Sequence, residues 1–336
     1  MLCGAAGDSG SVTVPQWPFV GSEVLQRGLL RKHHLRASYR AVLPDVYVPR
    51  DAVLDVDQRA RAAWLWSHRQ GVLAGLTASA LHGAKWIDAT SPLELIWPNA
   101  RRPVGIRTYD FMLGPDESEL HGDMRLTTVP RTAFDLGRRG TLHEAVARLD
   151  ALGNATGLTS ADVLGIARRH RGARGLRQLE QALALYDPGA ASPRETWLRL
   201  LLLEAGYPRP QTQIPVVSPD GRRRYFLDMG WQDRLLTVEY DGEHHRVDPT
   251  QYAYDIQRSE DILELGWTRV RVVKRHRSVE VLARVARAWT ATSLRGDRRI
   301  SLGFKRWLQR MWTGLTVVGR VLRRGCASRG VCGVGR

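Results

Sequence analysis

The chain has 336 residues, a 43% apolar composition ample for packed cores, and a formal net charge of +16. That length predicts two or three domains, and the charge favours an anionic partner, nucleic acid ahead of a membrane surface. Cys3, Cys326 and Cys332 form no CxxC pair and argue against a disulfide framework, so a reducing, cytoplasmic setting is expected.

The start, MLCGAAGDSG, lacks the basic segment and apolar core of a secretory signal. The longest apolar stretch near the end, MWTGLTVVG, is far below the roughly 20 residues that cross a bilayer, so no membrane partner is expected. The charge is uneven. From Arg298 to Arg336 there are ten Arg or Lys and no acid, which leaves +6 for the rest.

Residues 16–50 read as a small helical unit ending in a strand, AVLPDVYVPR. Cations and histidines crowd its middle. A helix-turn-helix with a short wing would set Arg31, Lys32, Arg36 and Arg40 against DNA phosphates. A solvated helix face is the alternative.

Residues 51–185 are mixed α/β. The pattern predicts helices at 55–70, 77–83, 130–139, 141–152 and 159–169, and strands at 93–97 and 104–109. Pro130 is placed to open its helix. His82, His121 and His143 show no metal-ligand spacing. This region holds no nucleophile elbow, phosphate-binding glycine loop or zinc motif. The segment YDPGAASP (186–193) reads as a linker.

A third unit over 190–292 follows the order αβββαβα: a helix at 194–205, strands at 213–217, 224–231 and 235–241, a helix at 250–265, a strand at 268–273 and a helix at 279–291. Its two middle strands form a hairpin. With a turn centred on Asp233–Arg234, Trp231 faces Leu236, Met229 faces Val238 and Leu227 faces Tyr240, one continuous apolar face. The same register puts Asp228 directly opposite Glu239, with Asp241 one step along. Three like charges so placed repel, and a divalent cation, Mg²⁺ or Mn²⁺, would relieve them and supply a phosphodiester-hydrolysing centre. The alternative is a solvated edge in which Asp241–Gly242 is a turn signal.

Glu195 either joins this site or caps its own helix, as Ser192-Pro193-Arg194-Glu195 fits a capping box in which Glu195 reaches back to the Ser192 N–H. Arg258 either points at the site or pairs with Asp255 or Asp261. The stretch TRVRVVKRH is a strand with Val270, Val272 and Val273 apolar and Lys274 at its end.

Four stretches, Ser192/Glu195, YFLDMGW, LLTVEYDGEHH and DIQRSEDILELGWTRVRV, resemble the PD-(D/E)XK nucleases and, within them, relatives of the very-short-patch-repair (Vsr) endonuclease. The resemblance covers roughly 190–292. It implies a restriction-endonuclease-like αβββαβ core with Asp228 and Glu239 as metal ligands, Glu195 supporting metal or water, and His245 and Arg258 on water or phosphate. The family motif has Lys two residues after the second acid, where Asp241 stands here. In the Vsr-like branch a histidine further on takes part, which His245 matches, and Lys274 is a candidate to substitute in space.

The first 185 residues, through VLPDVYVPRD, GVLAGLTASALHGA and RLTTVPRTAFDLGRRGTLHEAVARLDA, resemble AbiEi-type antitoxins of abortive-infection (type IV toxin–antitoxin) systems. This implies a winged-helix-like DNA-binding start at 16–50, an α/β region at 51–185 and a possible cognate toxin–antitoxin partner. Residues 293–336 read as a basic tail. The sequence is thus expected to encode an α/β multidomain, metal-dependent DNA endonuclease-like protein. The alternative is a catalytically inert DNA-binding regulator.

Overall fold

The computed structural model describes residues 16–99, 101–242 and 249–293, in two units, Met1–Pro188 and Gly189–Arg336. The described residues form eleven α-helices and twelve strands in three sheets. None of these helices is long and apolar enough to cross a membrane.

The first unit opens with β1 (Phe19–Val20), α1 (Gly21–Gln26), α2 (Lys32–Ser38), β2 (Tyr39–Leu43) and β3 (Val46–Pro49). Its antiparallel sheet has the order β1-β3-β2. The single strand expected over 41–50 is therefore a hairpin. Pro44 and Asp45 make its turn, and Asp45 takes the left-handed backbone at φ 59° that a tight reversal requires. The Asp45 carboxylate accepts from Ser22 N at 3.0 Å and Ser22 Oγ at 2.5 Å, which ties the turn to the start of α1. Phe19, Val24 and Leu35 form the local core.

The unit continues with α3 (Val56–Trp66), β4 (Val72–Leu73), α4 (Gly75–Leu81), β5 (Leu93–Ile96), β6 (Ile106–Tyr109), β7 (Ser118–His121) and β8 (Met124–Thr127). Helices α5 (Val129–Gly137), α6 (Leu142–Thr156), α7 (Ser160–Arg169) and α8 (Leu176–Leu185) complete it. The sheet order is β6-β5-β4-β8-β7. Asp55, Thr141 and Thr159 open α3, α6 and α7 with reciprocal capping boxes. The segment expected to be a linker is docked at its start. The Tyr186 hydroxyl donates to Leu158 O at 2.6 Å, Asp187 N to Asp150 Oδ1 at 2.8 Å, and Asn154 Nδ2 to Pro188 O at 2.9 Å.

The second unit runs α9 (Pro193–Glu204), β9 (Gln211–Val217), β10 (Arg224–Trp231), β11 (Leu236–Asp241), α10 (Pro249–Glu264), β12 (Thr268–Val273) and α11 (Ser278–Ser293). The sheet order is β12-β11-β10-β9. Strands β9 to β11 are antiparallel, and α10 carries the chain across to β12, parallel to β11. Leu198 and Leu202 of α9 and Val281 and Val285 of α11 pack with Met229, Val238, Val270 and Val272. Each such fully buried side chain contributes roughly 1.5–3 kcal/mol.

The hairpin register Trp231↔Leu236 and Met229↔Val238 holds, and there the paired ladder stops. The expected continuous face over Leu227, Met229 and Trp231 is split. Met229 and Trp231 join the core beneath α9 and α11, whereas Leu227 packs with Ile214, Ile262 and Trp267. The break coincides with Gln213, opposite Asp228 by register, which has φ 49° and locally turns the pleat of β9.

Candidate functional site

Asp228 lies where β10 and β11 part. The Tyr240 N–H donates to Asp228 Oδ2 at 2.9 Å, so a side chain supplies the acceptor that a strand partner would otherwise give. Asp228 is half-buried. Burial, then the charges of Glu195 and Glu239, push its carboxyl up to about 7, against the opposing pull of the Tyr240 N–H and Arg258. Its Oδ1 has no hydrogen-bond partner among the described residues.

Glu195 sits in the first turn of α9. Ser192 is the N-cap and accepts from Glu195 N at 3.2 Å. The Glu195 carboxylate accepts from Ser192 Oγ at 2.9 Å and from Ala191 N at 2.9 Å. The cap is real, but the main-chain donor is Ala191 rather than Ser192, one residue before the position a capping box uses. Glu195 is buried, and that burial raises its carboxyl. It therefore serves the cap and charges the Asp228 site together.

Glu239 alternates with Val238, so it leaves the α9–α11 core and points to the opposite face. There Arg258 of α10 donates to both of its oxygens, at 2.9 Å and 3.3 Å, and to Phe226 O at 2.9 Å. Arg269 of β12 donates from Nε to Glu239 Oε2 and from Nη1 to Ser259 Oγ at 2.9 Å. Arg258 thus points at the site. Asp261 takes Tyr225, Gln257 and Arg223 instead.

Two expectations are corrected. Asp228 and Glu239 do not stand as a directly opposed ladder pair, since the ladder ends one step earlier. Asp241 does not converge with them as a free third acid, because Arg271 on the neighbouring strand bonds its Oδ2. Among the described residues no three His, Cys, Asp or Glu side chains are arranged to hold a metal ion. The chemistry of the donors still fits a cation in part. Asp228 offers an open oxygen among net negative charge, whereas Glu239 would have to yield a guanidinium bond.

His245 lies outside the described residues, as do His244 and the tail from 294 onward. Lys274 is exposed just past the end of β12. Arg269 and Arg271 were not anticipated. The alternation in TRVRV carries the signal, because a parallel register of β12 on β11 sets Arg269 opposite Thr237 and Arg271 opposite Glu239.

In the first unit, Arg31 at the N-terminal end of α2, with Lys32 and Arg36 within it, is exposed, as are Lys32 and Arg36, while Leu35 turns inward. Arg40 is exposed as well, and its Nε and Nη2 donate to Arg50 O at 3.0 Å and Ala52 O at 2.8 Å, so it also fastens the hairpin.

Over 271 residues, 79% of this chain and 94% of the relative, the sequence is 29% identical to "Uncharacterized protein Rv2248" of Mycobacterium tuberculosis (strain ATCC 25618 / H37Rv). The same figures hold for "Uncharacterized protein MT2308" of strain CDC 1551 / Oshkosh. No family model and no solved structure matches the chain.

Proposed function

We propose that the second unit is a PD-(D/E)XK-type, Vsr-like nuclease module, and that the protein hydrolyses DNA phosphodiester bonds with Mg²⁺ or Mn²⁺. One observation carries this: a half-buried Asp228 at a strand fork, its carboxyl pushed up to about 7 by burial and by two neighbouring acids, with one oxygen open. Perturbed carboxyls of this kind concentrate where chemistry is done. The β-meander followed by a helical crossover to a parallel strand supports the restriction-endonuclease-like reading. Asp228 and Glu239 would hold the ion, which when bound supplies an acidified water and offsets charge on phosphorus.

The chain's own residues do the rest. Glu195 fixes the start of α9 and adds negative charge beside Asp228. Arg258 and Arg269 orient Glu239, and an Arg258 guanidinium released from it would stabilise charge developing on a phosphate. The first unit would bring DNA to the site. Its order β1-α1-α2-β2-β3 supports a winged-helix-like reading, with Arg31, Lys32 and Arg36 on phosphates. The AbiEi-like character of 51–185, a cognate toxin–antitoxin partner and a cytoplasmic location belong to the same proposal.

The test uses the full chain on supercoiled, mismatched and single-stranded DNA with Mg²⁺ or Mn²⁺. Nicking lost in Asp228→Asn, with unchanged DNA retention in a gel shift, is the expected result. No cleavage of any substrate, and no Mn²⁺ heat that depends on Asp228, would sink the hydrolase. A second reading, an inert DNA-binding regulator, is favoured by the guanidinium groups already on Glu239 and Asp241. It requires wild type and Asp228→Asn to bind DNA alike while neither cleaves.

A further inference from the structure

The first unit holds a second concentration of charge, far along the sequence from α2. Arg131 of α5 is only 1% exposed. It bonds Glu117, Asp135 at 2.9 Å and the Met112 carbonyl at 2.8 Å. Asp135 also takes Arg138 at 2.6 Å. Glu117 also takes His170 at 2.8 Å and Arg169 at 3.2 Å. Burial pushes the Glu117 carboxyl up, but the His170 and Arg131 hydrogen bonds outweigh it and bring the group to about 2. Both carboxylates are fully buried. They form a floor, and above it opens a cleft of about 480 Å³ between the Asp110–Met112 segment, α5 and the loop from His170 to Arg174.

The cleft is lined by five guanidinium groups, those of Arg131, Arg138, Arg169, Arg171 and Arg174, and by one carboxylate, Asp110. With Glu117 and Asp135 beneath, five positive charges stand against three negative ones, a surplus of two before His170 is counted. Arg171 and Arg174 are the two of the five with no acidic partner among the described residues. Arg171 makes only a 3.3 Å bond to the Arg168 carbonyl, and the Arg174 guanidinium has no partner among the described residues. The Arg138 guanidinium carbon lies 4.7 Å and 5.1 Å from the Phe111 and Phe134 ring centroids, and Asp135 already takes its Nε and Nη2, so it contributes charge from a fixed position.

A simple carboxylate carries one charge, a phosphodiester also one, and a phosphate monoester about −1.5 to −2 at neutral pH. Of these three groups, only the last balances a surplus of two. Guanidinium forks match phosphate oxygens in geometry as well as charge. We propose that this cleft binds a phosphate monoester dianion, either the terminal phosphate of a nucleic acid or free phosphate. The site lies wholly in the first unit and does not depend on hydrolysis in the second.

The test is calorimetry on the full chain at near-physiological salt with three probes: a 5′-phosphorylated thymidine dinucleotide, the same dinucleotide without its terminal phosphate, and inorganic phosphate. The phosphorylated dinucleotide should bind at least about ten-fold tighter than its unphosphorylated form. Arg171→Ala/Arg174→Ala, both exposed and outside the buried floor, should weaken it by about ten-fold or more. Arg102→Ala/Arg125→Ala, exposed arginines away from the cleft, should leave it unchanged. Limited trypsin digestion should show cleavage after Arg171 and Arg174 suppressed by the ligand. Inorganic phosphate that binds as tightly as the phosphorylated dinucleotide assigns the site to free phosphate, and weaker binding assigns it to a nucleic-acid end. Equal binding of both dinucleotides, equal loss in the Arg102/Arg125 variant, or no heat with any probe overturns the proposal.

Discussion

Asp228→Asn should stabilise the second unit at neutral and alkaline pH. The carboxyl is raised from 3.8 to about 7 by burial and by Glu195 and Glu239. Below about pH 4 it is protonated in both folded and unfolded chains and contributes nothing. Between about 4 and 7 only the folded chain keeps the proton, so stability falls as pH rises, and the full penalty is present above 7. A shift of about three units at ~1.4 kcal/mol each sets a ceiling of about 4 kcal/mol. Asp228 is half-buried, so solvent screens part of this, and a gain of about 1 to 3 kcal/mol is expected near pH 8. Asparagine keeps an oxygen for the Tyr240 N–H and removes only the charge. Because two units need not unfold together, the measurement is hydrogen exchange on β10 and β11 peptides rather than a single melting curve. A variant no more protected than wild type near pH 8, or a gain that persists undiminished at pH 4, would refute the electrostatic account.

Other perturbations test other parts. Glu239→Gln leaves Arg258 and Arg269 largely buried without their anion and should destabilise the second unit by about 3 kcal/mol, read by the same exchange measurement. Glu117→Gln should destabilise the first unit by a similar amount of about 3 kcal/mol. Because the Glu117 carboxyl is depressed from 4.5 to about 2, its contribution is complete above 4.5 and is lost as pH falls through 2, and the variant should lack that acid-dependent loss. Replacing Arg31, Lys32 and Arg36 by Ala should reduce the salt slope of DNA binding by up to about 0.9 per contact. Arg40→Ala should instead loosen the β2–β3 hairpin, visible as faster exchange there.

The second unit was legible because its strands alternate cleanly and α9 opens on the Ser192 cap. All seven of its elements fall within a few residues of where periodicity and turn chemistry put them. The register of Met229 and Trp231 followed from one rule, that apolar residues must share a face. The rule failed at Asp228, where Gln213 leaves the extended region and Leu227 turns to another cluster, a tertiary effect without a local signal. In the first unit β4 has two residues and β7–β8 reverses at Gly122, too short for periodicity to register. Helix α8 was legible but unread: Leu179 and Ala182 are buried three apart, behind Gly175 at φ 86°. Of the candidate site, the acids and Arg258 were visible, whereas the alternation in TRVRV gave Arg269 and Arg271 a common face but not their partners, because β12 joins β11 by a parallel pairing across α10 that no short-range pattern encodes.

The two acids of the fork differ in a way that makes a cation's binding depend on pH. Glu239 already sits on two guanidinium groups, while Asp228 has a single main-chain donor and a carboxyl near 7. An ion must therefore displace the Asp228 proton at lower pH. Below 7 the apparent affinity for Mn²⁺ should rise about ten-fold per pH unit, since one proton leaves for each ion bound, and above 7 it should level off. Calorimetry in buffers of different ionisation heat counts that proton directly. In Asp228→Asn both the slope and the proton release should vanish. Mn²⁺ binding that is flat between about pH 5 and 8, or that persists in the variant, would place the ion elsewhere and leave the fork as an internal charge lattice.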